Sequence, residues 1–315
     1  MMQQATAGRR AGGRAARREL RSAPIAADAA PIGPGHSGGQ LRLLDEREIE
    51  RIHQATLDVL ERVGMGDAPE AWRDRVTAKG GHVMESGRLS FPRALIEDTI
   101  AGAGRNFVLH GRDPAHDLDL SGTRVHTVGG SGTVEILDPK TNSYRETTLL
   151  DLYDVARLQG AMANIHAVIR PCVARDLEDW RLLDINTAYA TMSATAKPMG
   201  TEFSAAEHVK DVVALLDMSL GGDGSGKRFR ARPFAHAITT IVSPLRFAGE
   251  TCAILDEMVR HGMPAIVTSA GQSGATSPVD LAGAVMQGNA EVLAAMVCMN
   301  LLSPGHPVMY GNWPF

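Results

Sequence analysis

From about residue 123 the chain alternates short apolar runs with amphipathic stretches at a nearly fixed interval, and this cadence limits the fold more than any single motif. The apolar runs are Val125–Gly129, Ile165–Val173, Pro198–Phe203, Phe234–Val242, Ala265–Ser269 and Pro307–Tyr310. Each is short and rich enough in β-formers to read as a strand, and a helical pattern lies between neighbours. Helix-start chemistry recurs at positions 148, 176, 204 and 277, with a further start near 247. The intervals are 28, 28, 43 and 30 residues. Three of the four match the roughly 30 residues of one strand–helix–strand unit; the long one contains the glycine-rich stretch Gly221–Gly226. Thr148 with Asp151, and Ser204 with Glu207, have capping-box spacing. Ser277, Pro278 and Asp280 combine a cap, a first-turn proline and a first-turn acid, and Asp176 is expected to cap the helix containing Trp180. Repeated units with short connections require a parallel sheet with right-handed crossovers. An open doubly wound sheet and a (β/α)8 TIM-type barrel both satisfy this. Polar and glycine residues follow several successive strands, not one switch point, which favours the barrel. Six strand candidates leave it two short of eight, so the expectation is an α/β barrel truncated after about six strands, at Pro307–Phe315.

Upstream the pattern differs. Residues 1–43 are rich in Arg, Ala and Gly without periodicity and are read as a disordered tail. Residues 44–122 are read as an α+β cap. It opens on a helix through Ile49, Ile52, Leu57, Leu60 and Val63 that Gly64 stops, and residues 123–315 form the incomplete barrel. A hairpin is expected around Asp138-Pro139, between Thr133–Leu137 and Tyr144–Thr147. The net charge of −4 supplies no basic field for nucleic acid or an anionic membrane. No apolar run reaches the ~18 residues of a spanning helix. Cys172, Cys252 and Cys298 are scattered, without C-x-x-C spacing, so neither a disulfide framework nor a structural zinc site is expected and a cytoplasmic location fits.

Taken in order, His53–Gly64, Gly129–Gly132, Arg170–Asp176, Ser243–Phe247, Ser277–Gly283 and Pro304–Gly311 make the sequence resemble the trimethylamine methyltransferase family, from about residue 45 onward. The resemblance implies a (β/α) barrel. It also implies methyl transfer from a methylated amine, a betaine or trimethylamine, to the cobalt of a separate corrinoid protein. No cofactor would be bound directly, the corrinoid (cobalamin) being presented by that partner protein, and the full-length protein would be a homo-oligomer. Two other readings stay open: another barrel enzyme acting on a small polar metabolite, or an inactive fragment.

In a barrel the loops after the strands build the site. That rule nominates Gly129 and Ser131 after the first strand, Glu202 after the third, Ser243 after the fourth, Gln272 after the fifth, and Tyr310 and Trp313 after the sixth. Glu202 is the candidate catalytic group, a carboxylate able to face a cationic substrate; its bland alternatives are an ion pair with Lys197 or Arg175, or a solvated loop residue. Tyr310, Trp313 and Phe315 cluster in a chain with only 4% aromatics, and aromatic faces attract quaternary ammonium groups. Cys172 lacks zinc-ligand partners and is read as a buried thiol, and the histidines form no metal motif. Two glycine motifs are set aside. Gly221–Lys227 has Arg228 where a phosphate loop needs Ser or Thr and is expected to open no helix. Gly129–Gly132 leads into a strand, not a helix N-terminus. A quaternary nitrogen leaves as a neutral amine without a general acid, whereas a tertiary amine needs activation. No activating residue is visible, which favours a quaternary amine.

Overall fold

The structure, a computed structural model, describes residues 13–23, 33–130 and 132–313. Its centre is a five-stranded parallel sheet of β1 (Val168–Ile169), β2 (Met199–Thr201), β3 (Ala235–Ile241), β4 (Ala265–Ser269) and β5 (Val308–Asn312), in the order β5-β4-β3-β2-β1. Consecutive strands are neighbours throughout. A doubly wound sheet reverses its order at a switch point, and these five strands have no such reversal. The run expected to be the first strand behaves differently. Arg124–Val125 pairs antiparallel with His36–Ser37, and only isolated parallel bridges, Val128 to Ala167 and Thr133 to Cys172, join that segment to β1. Two valines interleaved with His126 and Thr127 and ending on Gly129 give Val125–Gly129 too little apolar surface to hold a full ladder.

Helices α1 (Glu46–Arg62), α2 (Glu70–Thr77) and α3 (Arg93–Gly102) precede the sheet; α4 (Leu149–Ala161), α5 (Trp180–Ala194), α6 (His208–Ser219), α7 (Gly249–His261) and α8 (Leu281–Leu302) alternate with its strands. The capping box at Thr148 and Asp151 is present, and a second, unexpected one links Asp45 and Glu48 at the start of α1. Three expected caps move. Asp179, not Asp176, caps α5, while Asp176 accepts from the Leu149 amide. Asp280 alone caps α8, three residues after Ser277. Ser204 caps nothing: its amide and hydroxyl both bond the buried Asp184, and α6 begins only at His208. At α5 and α8 a carboxylate three residues beyond the expected cap took the amides; at Ser204 the hydroxyl was itself drawn to Asp184, and α6 has no side-chain cap.

The core is continuous from the N-terminal helices to β5. Leu57, Leu60, Trp72, Phe91 and Ile96 pack in one cluster with Val209, Phe229, Phe234, Leu255 and Val292. Trp72 meets Phe247 edge-on at 4.8 Å, and its indole N–H donates to Asp256 on α7 at 2.9 Å. Helix α8 is long and apolar enough to cross a membrane by length and composition, although Gln287, Asn289 and Glu291 break its apolar run. Most of it is buried against the sheet and α1, so an apolar character on all sides suits a core helix. The hairpin is formed by Glu135–Asp138 and Ser143–Glu146, as its Asp-Pro turn predicts. Within the segment read as a disordered tail, Arg14–Ser22 is helical.

Candidate functional site

Strand residues alternate between two faces of a sheet, and here each face has its own company. Ala235, Ala237 and Ile241 of β3, Ala265 and Val267 of β4 and Val308 of β5 pack on the helices. Ile169, His236, Ile266 and Met309 look the other way and line a hollow of about 400 Å³. Continuing along the same parity brings Ile238 and Thr240 of β3, Thr268 of β4 and Trp313 after β5 to the carboxyl ends of the strands. The hydroxyls of Thr240 and Thr268 are 2.9 Å apart, as a cross-strand pair on one face requires.

At this end Glu202, Phe203, Ile238, Thr240 and Trp313 line a second hollow of about 230 Å³. Glu202 follows β2 directly, so its position is set by the strand. Arg170, following β1, donates to its carboxylate. The expected ion-pair partners, Lys197 and Arg175, are engaged elsewhere. The Lys197 ammonium donates to the carbonyls of Gln159, Met162 and Ile165, and Arg175 pairs with Glu146. Burial pushes the Lys197 amine below its usual range. The Arg170 side chain is 12% exposed and its Nε has no acceptor among the described residues. One wall of the hollow thus carries an ion pair and another an indole, 54% exposed. A carboxylate and an aromatic face are the two surfaces that hold an ammonium group by charge and by ring quadrupole.

The other nominated residues do not converge on this hollow. Tyr310 has the opposite parity from Trp313. It pairs with Val267, and Val308 and Asn312 on either side of it face the helix layer. No cage of Tyr310 with Trp313 forms, and Phe315 lies outside the described residues. Gly129 is a packing position: a Cβ there would sit 2.3 Å from the Gln159 amide oxygen. Ser131 lies outside the described residues. Gln272 is exposed in a turn, where its backbone amide donates to the Thr276 hydroxyl and its backbone carbonyl accepts from the Ala275, Thr276 and Ser277 amides. Ser243 precedes a cis peptide to Pro244 and donates to Glu291 at 2.7 Å. Glu291, on α8, is fully buried, and the sequence reading did not single it out. An acid in the middle of an otherwise apolar helix was the available signal.

Cys172, Cys252 and Cys298 are all buried and unpaired. Burial pushes the Cys172 thiol up to about 11 and that of Cys252 up to about 12, which keeps both protonated. Among the described residues no group of His, Cys, Asp and Glu could hold a metal ion. The stretch Gly221–Lys227 does lead into a short helix, Lys227–Ala231, contrary to expectation. Its amides are already taken, because the buried Asp217 carboxylate accepts from Gly224, Arg228 and Phe229 at 3.0, 2.7 and 3.1 Å. An acid occupies the place a phosphate would need.

The profile of the family described as Trimethylamine methyltransferase (MTTB) matches residues 10–315. Trimethylamine methyltransferase MttB of Desulfitobacterium hafniense is 32% identical over 268 residues, covering 85% of this chain and 53% of the relative. Glycine betaine methyltransferase of the same species is 27% identical over 274 residues, covering 86% of this chain and 55% of the relative. Among solved structures, the monomethylamine methyltransferase (MtmB) of Methanosarcina barkeri aligns with a TM-score of 0.47 and 10% identity, over 85% of this chain and 61% of that one. The chain spans just over half the length of the curated relatives it matches. A match that runs through nearly all of the chain, and takes in both halves of the core and the rim bearing Glu202 and Trp313, makes this chain a member of the trimethylamine methyltransferase family.

Proposed function

We propose that the protein binds a methylated amine at the carboxyl ends of its strands and presents one methyl group to the cobalt of a separate corrinoid protein. The observation that carries this is the hollow shared by Glu202 and Trp313, in a chain that belongs to this family. The five consecutive parallel strands and the rim position of the hollow are what a (β/α)8 barrel would supply, and we read the sheet as part of one. Residues 44–122 then act as its cap, although they share its core. A cytoplasmic setting and a homo-oligomeric assembly belong to the same reading.

The corrinoid, when its protein docks, supplies the nucleophile. The work left to this chain is to bind the ammonium, hold one methyl in line and exclude water. A quaternary nitrogen suits what is present, since its amine leaves neutral and needs no proton. Near the hollow, Glu202 and Arg170 neutralise each other. A plain cation drawn to Glu202 would leave Arg170 without its partner, whereas a zwitterion offers a carboxylate in exchange. A betaine can replace both partners, and we favour it as the substrate.

The test is demethylation by the purified protein with a reduced corrinoid protein. Glycine betaine is expected to be demethylated. Turnover of trimethylamine but not of glycine betaine would refute the quaternary preference, and turnover of a small metabolite without any corrinoid would point to a different barrel enzyme.

A further inference from the structure

We infer that Glu291 is a positioning residue for the rim hollow; this rests on the reading of that hollow as an ammonium site. Glu291 lies on α8 with no exposed surface. Its carboxylate accepts four hydrogen bonds. The Ser243 hydroxyl and the Leu245 amide donate at 2.7 and 2.8 Å, from the loop that follows β3. The Ser269 hydroxyl, at the end of β4, donates at 2.5 Å, and the Gln287 amide, one helical turn back, donates at 3.0 Å. No lysine, arginine or histidine among the described residues pairs with it. A buried carboxylate with neutral donors only is costly unless every bond is made, so its retention in an apolar helix calls for a role.

The bonds point to that role. They fix the carboxyl ends of two adjacent strands to one helix. Ser269 carries the constraint further, because its carbonyl accepts from the Trp313 amide at 2.8 Å. Gln287 extends it the other way, by donating to the Thr276 carbonyl in the loop after β4. Glu291 thus sits two hydrogen bonds from the backbone of the indole that faces the hollow, and it touches no part of the hollow itself. An indole holds an ammonium only when its face is correctly presented. Loosening the Ser269 link should blunt the recognition of charge before it abolishes binding by shape.

The experiment compares glycine betaine with its uncharged-centre analogue tert-butylacetate, by calorimetry, in the wild type, Glu291→Gln and Ser269→Ala. Wild type is expected to prefer betaine. In both variants that preference should fall by about threefold or more, the low end of what an ammonium over an indole face contributes. A variant that loses thermal stability yet keeps the full preference would show that Glu291 is merely structural and would overturn the proposal. Ser269→Ala, which removes one hydroxyl and leaves the carboxylate in place, keeps the question answerable if Glu291→Gln fails to fold; an unchanged preference in Ser269→Ala overturns it equally. If wild type shows no preference, the ammonium reading fails on its own, and amide exchange decides the clamp. Faster exchange at Leu245 and Trp313 in the variants supports it, and unchanged exchange removes it.

Discussion

Replacing Glu202 by glutamine keeps the shape of the side chain and removes its charge, which makes it the sharpest probe of the rim. Arg170 and Glu202 are 12% and 31% exposed. Breaking a fully buried ion pair costs about 3–5 kcal/mol, because one charge is left without a partner, whereas an exposed pair is worth about 0–1 kcal/mol. This pair lies between the limits, and Glu202 keeps some water. Arg170 keeps less: its Nε is buried with no acceptor among the described residues, so losing the Glu202 charge leaves the guanidinium poorly compensated. The expected destabilisation is about 2 kcal/mol. A control separates pairing from packing. The double variant Arg170→Met, Glu202→Met removes both charges and should lie within about 1 kcal/mol of wild type, since apolar replacement of a buried pair is often neutral. Urea unfolding followed by circular dichroism reads both values. The same Glu202→Gln protein should bind glycine betaine at least about tenfold more weakly, the loss of one charge-to-charge contact near the surface. A Glu202→Gln protein with unchanged stability and unchanged betaine affinity would refute the reasoning, because Glu202 would then be an ordinary solvated loop residue.

Other consequences are equally open to measurement. Trp313→Leu should weaken betaine binding about threefold to tenfold with little change in unfolding midpoint, since the indole is half exposed and little of the core rests on it; calorimetry and a thermal melt check both halves. At pH 8 the native protein should leave Cys172, Cys252 and Cys298 unreactive toward a thiol reagent, and urea should release them, because the thiolate is the reactive form and burial holds these thiols protonated. His236 is buried on the open face of the sheet, and burial lowers it to about 4. Its contribution is therefore complete above the ordinary value near 6.5 and is lost as the pH falls toward 4, where only the unfolded chain takes up the proton. Stability should decline across that window by up to on the order of 3 kcal/mol from this group, and His236→Leu should flatten the decline. Asp217→Leu should cost about 2–4 kcal/mol by stranding the three amides its carboxylate holds, while ATP should leave the melting temperature of wild type unchanged.

The rhythm of strands and helices was legible because it depends on short-range patterning. β4 appears at the expected residues, and β2, β3 and β5 lie within or beside their apolar runs. Caps were less legible. Asp176, Glu178 and Asp179 all stand within a few residues of the start of α5, and only tertiary position decides whether Asp176 or Asp179 faces its free amides. Ser204 shows the same limit from the other side: its hydroxyl had the right spacing to cap, but Asp184, 20 residues earlier on α5, reached it first. Local chemistry proposes such bonds, and the approach of two distant elements selects among them.

The site divides along the same line, with one instructive exception. Glu202 and Trp313 were identifiable as strand-end residues, but Arg170 was not identifiable as the partner of Glu202. That contact depends on β1 lying beside β2, a long-range pairing that single-sequence patterning does not carry. The bonds of Glu291 were hidden for a similar reason, since its donors come from the loop after β3, the end of β4 and its own helix. The pairing of Tyr310 with Trp313 is different, because the sequence already held the answer. Side chains along a strand alternate, so residues three apart cannot share a face while the strand remains regular. β5 extends to Asn312 and Trp313 still donates its amide to Ser269 of β4, so the alternation persists to the indole. Tyr310 therefore joins Val308 on the helix side, and Trp313 joins Met309 on the side of the hollows. An aromatic partner for Trp313 on its own strand would have to stand at position 309 or 311, and these are Met309 and Gly311. The single indole is what this strand offers an ammonium, which is why Trp313→Leu is the substitution expected to separate charge recognition from the fold.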